Sequence, residues 1–454
     1  VTRADEPATA WAASDARVSD PATLFPGDQK SLLDPTVAID PLDPSVVVAV
    51  ATDLSAQNVD PSDRGTTRAF RSADGGASWS DLGPLPYDRA GALYDAGEPV
   101  ALFAPDGVAF LVTRASAPGG GPAGLFVHRS DDAGASWELP TLAVADARSG
   151  GACARAERPW LSREPGGALD LAYTEIRGGC GPLLRATQES IRLARSTDDG
   201  RSWSAPTVVR RGEAAGAMPR AFADGTIVMP FWSGSPAAGS AIHIGVSRDH
   251  GASWTFTAQP QASDPLPDRP DLRGGDRFPA AAIDPVTGIA YVVWPTFDRA
   301  DGRYVLDVSA SWDEGASWSA PVVIAPSGEP DAPPAHPAGE DHRMPAIAAE
   351  GGVVRVAFVA DGGAGPLYAL GADPTGHDLD GAEGEAAFVE SVDGGATWLP
   401  DVPLSSAPFD LGGGGADLGD RLALDLAGGH VAAAWTDARH GEPTEIWARA
   451  GATR

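Results

Sequence analysis

Six copies of one eight-residue phrase, Ser-x-Asp-x-Gly-x-Ser/Thr-Trp, recur along this 454-residue chain, beginning at Ser72, Ser130, Ser196, Ser247, Ser311 and Ser391. Each supplies an aspartate (Asp74, Asp132, Asp198, Asp249, Asp313, Asp393), a glycine two residues later, and a closing tryptophan (Trp79, Trp137, Trp203, Trp254, Trp318, Trp398). The residue types describe a hairpin corner. A short carboxylate accepts backbone N–H groups across a turn, and glycine takes the positive φ that the turn requires. The indole then has a large apolar face to bury against a neighbouring unit. Six such corners define a repeat protein.

A second anchor recurs in step with the first. Short apolar strands follow Pro35, Pro99, Pro159, Pro219, Pro279 and Pro345, and proline is expected as a strand's first residue, where no ladder N–H is lost. A turn and a second strand come next, as in Ala290-Tyr291-Val292-Val293-Trp294; a third strand leads into the Asp phrase and a fourth follows it. Four strands per unit at a period of roughly 60 residues is the signature of a propeller blade. Beyond the sixth phrase, residues 420–450 hold three further strands: Arg421–Asp425, Val431–Trp435 and Glu445–Arg449. The segment Asp15–Ser19 resembles the fourth strands elsewhere, so it is expected to complete this last blade and remove the open sheet edges. The fold class is therefore all-β: a seven-bladed propeller, residues 1–454 in one domain. A six-bladed ring with a detached C-terminal hairpin is the alternative.

Composition narrows the function. Net charge is −29, with Lys30 the single lysine, which argues against nucleic acid and anionic membrane surfaces as partners. No apolar run approaches a membrane span, and no signal peptide is visible. Cys153 lies just before the first strand of the third blade and Cys180 just after its second, a placement that suits a disulfide and an oxidising compartment. The expected location is secreted or cell-envelope. Nothing in the sequence assigns a cofactor, a metal-ligand set or an oligomeric state. The acidic stretch Asp373–Glu385 reads as a solvated insertion, with calcium binding the alternative.

The phrase and its blade period resemble the Asp-box (BNR-repeat) propellers of the sialidase superfamily, along essentially the whole chain. That resemblance implies that the six aspartates are structural, because the family's Asp boxes lie on the face opposite its active sites. It implies a ligand site over the channel mouth, where first strands begin and second strands end.

At that face an arginine enters strand one and an acid leaves strand two in four blades: Arg158 with Glu175, Arg277 with Asp298, Arg343 with Asp361, and Arg421 with Asp437. Arg177, Arg299 and Arg439 each follow two residues or one behind those acids, and His342 stands beside Arg343. Two readings compete. The arginines could converge to hold a carboxylate, for which bidentate guanidinium is suited. Alternatively each pairs with the acid of its own blade, and recurrence in four blades favours that staple.

The family's hydrolases resemble one another in a nucleophilic tyrosine assisted by a glutamate, with an aspartic acid on a loop. Here Tyr173 and Tyr291 sit inside second strands, and the late blades offer only Tyr368. Arg277-Phe278-Pro279 and Arg343-Met344-Pro345 resemble the family's Arg-Ile-Pro motif, but outside the first blade that carries it there. Long Pro/Gly/Asp-rich insertions at Pro260–Gly275, Ser327–Asp341 and Ser405–Gly419 lead to the same face. The expectation is a propeller that binds an extracellular glycan or protein at the channel mouth. A sialidase-like exo-glycosidase acting on an acidic sugar and an architectural envelope protein are the alternatives.

Overall fold

The structure is a computed structural model that describes residues 7–19, 32–55, 65–86, 94–117, 121–149, 152–180, 186–235, 239–258, 278–298, 303–324, 342–362, 383–410, 419, 421–440 and 444–454. Every helix-or-strand element among them is a β-strand, and the strands form seven antiparallel sheets. Blade 1 runs Leu32–Ile39, Val47–Asp53, Thr66–Ser72 and Ser80–Pro84; blade 3, the longest, runs Ala152–Arg163, Leu169–Gly179, Ala186–Ser196 and Thr207–Arg211. The first strand of each blade faces the central channel. The expected acidic loop before Glu383 and the insertions at 260–275 and 327–341 lie outside the described residues.

All six Asp boxes close in the same way. The aspartate Oδ1 accepts the backbone N–H of the following Ser or Thr at 2.8 Å in every copy. The box glycine donates its N–H to the leading serine Oγ at 2.8–2.9 Å. The hydroxyls of Ser202 and Ser253, and then their backbone N–H groups, donate to the charged form and hold the carboxylates of Asp198 and Asp249 down to about 2. The corner also seats one blade on the previous one. A Cβ on Gly134 of blade 2 would lie 2.3 Å from Val48 Cγ2 of blade 1, and one on Gly251 of blade 4 would lie 2.4 Å from Leu193 of blade 3. Each box tryptophan packs, partly buried, into a core shared between two blades: Trp79 among blades 1 and 7, Trp203 among blades 2 and 3. The cores of this molecule therefore lie between the sheets.

The ring closes through the N-terminal segment. Thr9–Trp11 pairs antiparallel with Glu445–Thr453 (Thr9 opposite Thr453, Trp11 opposite Gly451), and Ala16–Arg17 pairs with the same strand at Ala448 and Trp447. The outer strand thus begins earlier than the expected Asp15–Ser19 and is broken in two. Only three residues of its first piece are extended, too few to show an alternating pattern in sequence.

One expectation about the inner strands is corrected. In blades 1, 2, 3 and 6 the proline does not begin the strand. The strand starts upstream, at Leu32, Tyr94, Ala152 and His342, and runs through a β-bulge at Pro35, Pro99, Pro159 and Pro345. A bulge leaves a residue outside the ladder, which is the other position in a sheet that tolerates proline.

Candidate functional site

The bulges build the site. The residue before each bulge proline, Asp34, Glu98, Arg158 or Met344, has φ between 51° and 54°. Non-glycine residues at such φ cost about 1–2 kcal/mol each and persist only where the surrounding structure holds them. Three of them, Glu98, Arg158 and Met344, face the same opening. That opening leads into a channel cavity of about 460 Å³ lined by the first strands of all seven blades.

Three arginines gather at this opening. Arg421 of blade 7 reaches across the ring, donating from Nη1 to the Pro99 carbonyl (3.3 Å) and from Nη2 to the Pro159 carbonyl (3.5 Å). Its guanidinium stands 5.7 Å from the centre of the Trp160 ring, and Arg220 of blade 4 stands 5.3 Å from that same ring. Arg158 lies over Phe278 at 5.1 Å, while its backbone N–H donates to Glu98 Oε2. Phe278 fits because Gly216 is beneath it: a Cβ there would sit 2.2 Å from the ring.

Burial sets the electrostatics. Arg220 is pushed down to about 10 by desolvation, which the charge of Asp425 only partly offsets. Asp425, which accepts the Ile39 N–H at 2.8 Å, is pushed up to about 6 by burial. Both side chains face the cavity, so some of their surface is exposed to its interior, yet they lie deep in the protein, and it is that depth which governs their charge. Glu157 is likewise raised, first by burial and then by the neighbouring Glu98 carboxylate, against the pull of Arg114, Arg155 and Arg158.

The staple reading fails in blades 3 and 7. Glu175 is occupied by Arg177 (2.5 Å) and Arg192 (2.9 Å), and Asp437 by Arg439 Nε (2.9 Å) and the Trp435 indole (2.9 Å). The acid leaving strand two is thus held by the arginine two residues behind it: Glu175 and Arg177 share a face of one strand, whereas Arg439 lies just beyond the strand that Asp437 ends, in a turn where its backbone N–H also donates to Asp437 Oδ1 at 2.8 Å. Arg158 and Arg421 are left for the mouth, with no carboxylate in hydrogen-bond contact with either guanidinium among the described residues. Arg439 also bonds Asp15 at 2.8 Å and stacks on Trp447 at 4.0 Å, so it ties the closing segment to blade 7. His342 is buried against Phe358 (ring centroids 4.7 Å apart), and Arg343 is also buried. Asp298 ends the second strand of blade 5 outside the cavity lining. Arg277, Arg299 and the Asp361 side chain lie outside the described residues.

Reading the sequence missed Trp160, Arg220, Phe278, Glu98 and Asp425 as site residues. Four of these flank a strand-one proline, and that adjacency was the available signal. Asp425 had none, since it reads as an ordinary strand residue. Tyr173 and Tyr291 are buried in cores between blades, Tyr304 is also buried, and no described tyrosine lines the cavity.

Residues 109–325 match the model of the BNR repeat-like domain. No curated protein sequence matches the chain. Among solved structures, an ulvan lyase of polysaccharide lyase family 25 aligns over 96% of this chain and 95% of its own at 10% identity and TM-score 0.50. A Hadza microbial sialidase aligns over 73% and 64% at 17% identity and TM-score 0.48. An α-L-arabinofuranosidase from Fusarium graminearum aligns over 78% and 93% at 12% identity and TM-score 0.49. At these identities the likeness is one of fold.

Proposed function

We propose that this chain, a β-propeller of the Asp-box or BNR-repeat type, binds an acidic glycan at the mouth of its central channel. The observation that carries this reading is the set of three arginines at the mouth, Arg220 and Arg421 over Trp160 and Arg158 over Phe278, with no carboxylate in hydrogen-bond contact among the described residues. Guanidinium groups that donate only to backbone carbonyls, or to nothing, can exchange those bonds for stronger charge-assisted ones to a carboxylate. The aromatic faces of Trp160 and Phe278 offer an apolar platform for the body of a sugar. The Cys153–Cys180 disulfide supports an extracellular or envelope location for such binding.

The test is calorimetric titration with galacturonate and sialate monomers against their neutral counterparts. Arg421→Ala is expected to cost at least tenfold in affinity for the acidic sugar, about the 1.4 kcal/mol of one charge-assisted bond. Equal binding of acidic and neutral sugars would sink the reading.

A hydrolase is the second reading, and the Glu98 and Glu157 carboxylates favour it. Glu98 lines the cavity, and the Glu157 carboxyl one bulge away is raised by burial and then by the Glu98 charge, the direction glycoside cleavage requires of a proton donor. Turnover of fluorogenic uronides or sialosides, lost in Glu157→Gln, would support this reading; no turnover would leave binding as the function.

A further inference from the structure

The cations of this chain are concentrated in one blade. Residues 148–211 hold eleven arginines against seven carboxylates, whereas the rest of the chain has twenty-two basic residues against fifty-five acids. Blade 3 is therefore net positive inside a strongly negative protein, and charge complementarity points to an anionic partner.

Its shape supports this. The three inner strands of blade 3 are 11–12 residues long, and the blade carries an extra inner strand, Ala147–Ser149. The Cys153–Cys180 disulfide clamps the end of this extension, with Arg148 in register with Cys153. Within the extension the acids are already engaged: Glu175 by Arg177 and Arg192, and Glu157 by Arg155 at 3.8 Å and Arg114 at 3.9 Å. Arg210 is stacked on Phe256. Arg148 and Arg211, at the inner and outer edges of the sheet, are exposed and have no acid partner among the described residues. Four strand spacings separate those edges, about 19 Å, which is wider than a single sugar ring. On the first strand, Arg155 leads directly to Arg158 at the channel mouth.

We infer that the upper half of blade 3 is a docking surface for an acidic polysaccharide, along which a chain engaged at the mouth continues outward. The inference takes from the proposed function only the place where the chain begins. A polymer is required because the cationic groups are spread across a whole sheet, and a polysaccharide is favoured over an acidic protein because the surface continues into the Trp160 and Phe278 platform.

The experiment uses the full chain, with polygalacturonate as polymer, galacturonate as monomer and polyglutamate as competitor, at two salt concentrations. Arg148→Ser combined with Arg211→Ser is expected to weaken polygalacturonate binding roughly threefold to tenfold and flatten its salt dependence. Galacturonate binding should be unchanged in that variant. Wild-type affinity and salt dependence in the double variant would overturn the inference, as would a wild-type chain that does not bind polygalacturonate. Polyglutamate displacing the polymer as effectively as polygalacturonate itself would reassign the surface to an acidic protein. Arg421→Ala separates the two proposals: if it leaves monomer binding intact, the mouth reading falls while the blade 3 surface still stands or falls on the double variant.

Discussion

A guanidinium deep in a protein is stable only when its donors find acceptors, and among the described residues Arg220 finds just the Pro219 carbonyl, at 3.2 Å. Its partner in charge, Asp425, is raised to about 6 by burial, and this gives the mouth a pH dependence. As pH falls through 6, Asp425 gains a proton and its negative charge leaves the cavity. Affinity for an acidic sugar should therefore rise between pH 7 and 5, and Asp425→Asn should abolish that rise; calorimetry at the two pH values checks it. Stability follows the same sign. Asp170, enclosed with Glu164, is pushed up by burial and by Glu164, which holds Arg195 through both its oxygens while His250 of blade 4 caps it at 3.1 Å. A carboxyl whose folded pKa is raised stabilises the fold at low pH and loses that contribution as pH rises through the raised value. Melting temperature should decline from pH 5 to 8.5, and Asp170→Asn should flatten the decline.

At the scale of the element, the Asp box and the bulge use the same backbone conformation to opposite ends. In the box, positive φ falls on the box glycine and on the residue before it, which is Ala133, Asp199, His250 or Glu314 in four copies, and it closes a corner between blades; at the bulge it falls on Asp34, Glu98, Arg158 and Met344, beside the channel. The box glycines differ in what surrounds them. Gly75, at the variable position before the box glycine Gly76, has open space around it, so Gly75→Ala should lose only the φ penalty, about 1 kcal/mol. Gly134→Ala adds a clash with Val48 of the preceding blade and should lose about 3 kcal/mol, read by urea denaturation. Arg158→Gly should relieve the bulge, so that stability holds or rises while affinity for the acidic sugar falls. The box was legible in the sequence because every bond in it joins residues within four positions of one another. The bulge was not, because a proline at a strand start and a proline in a bulge look alike until the partner strand is in place.

For the whole molecule, closure of the ring depends on a buried polar network that no single blade contains. Thr9 donates its backbone N–H and hydroxyl to Glu390 (3.2 and 2.8 Å), and Arg355 donates to the hydroxyls of Thr9 and Thr453, both at 2.8 Å. Arg355 and Glu390 are almost fully buried and lie 3.9 Å apart. Removing residues 1–12 takes away the acceptor and donors that join them and exposes the edge of blade 7. The expected loss is about 3–5 kcal/mol, with self-association through the open edge, measured by melting and light scattering. The repeat is legible in the chain alone: the corner chemistry, the blade count, the closing role of the N-terminal segment and the disulfide between Cys153 and Cys180. All of these are local patterns or simple consequences of their period. The partner of each arginine emerges only once the blades stand around the ring. Glu175 and Asp437 pair with the arginines two positions further along the chain, which leaves Arg158 over Phe278 and Arg421 over Trp160 at one mouth, from blades far apart in the chain. Convergence across a ring axis leaves no spacing in the sequence, because it depends on how seven similar sheets are placed around one channel.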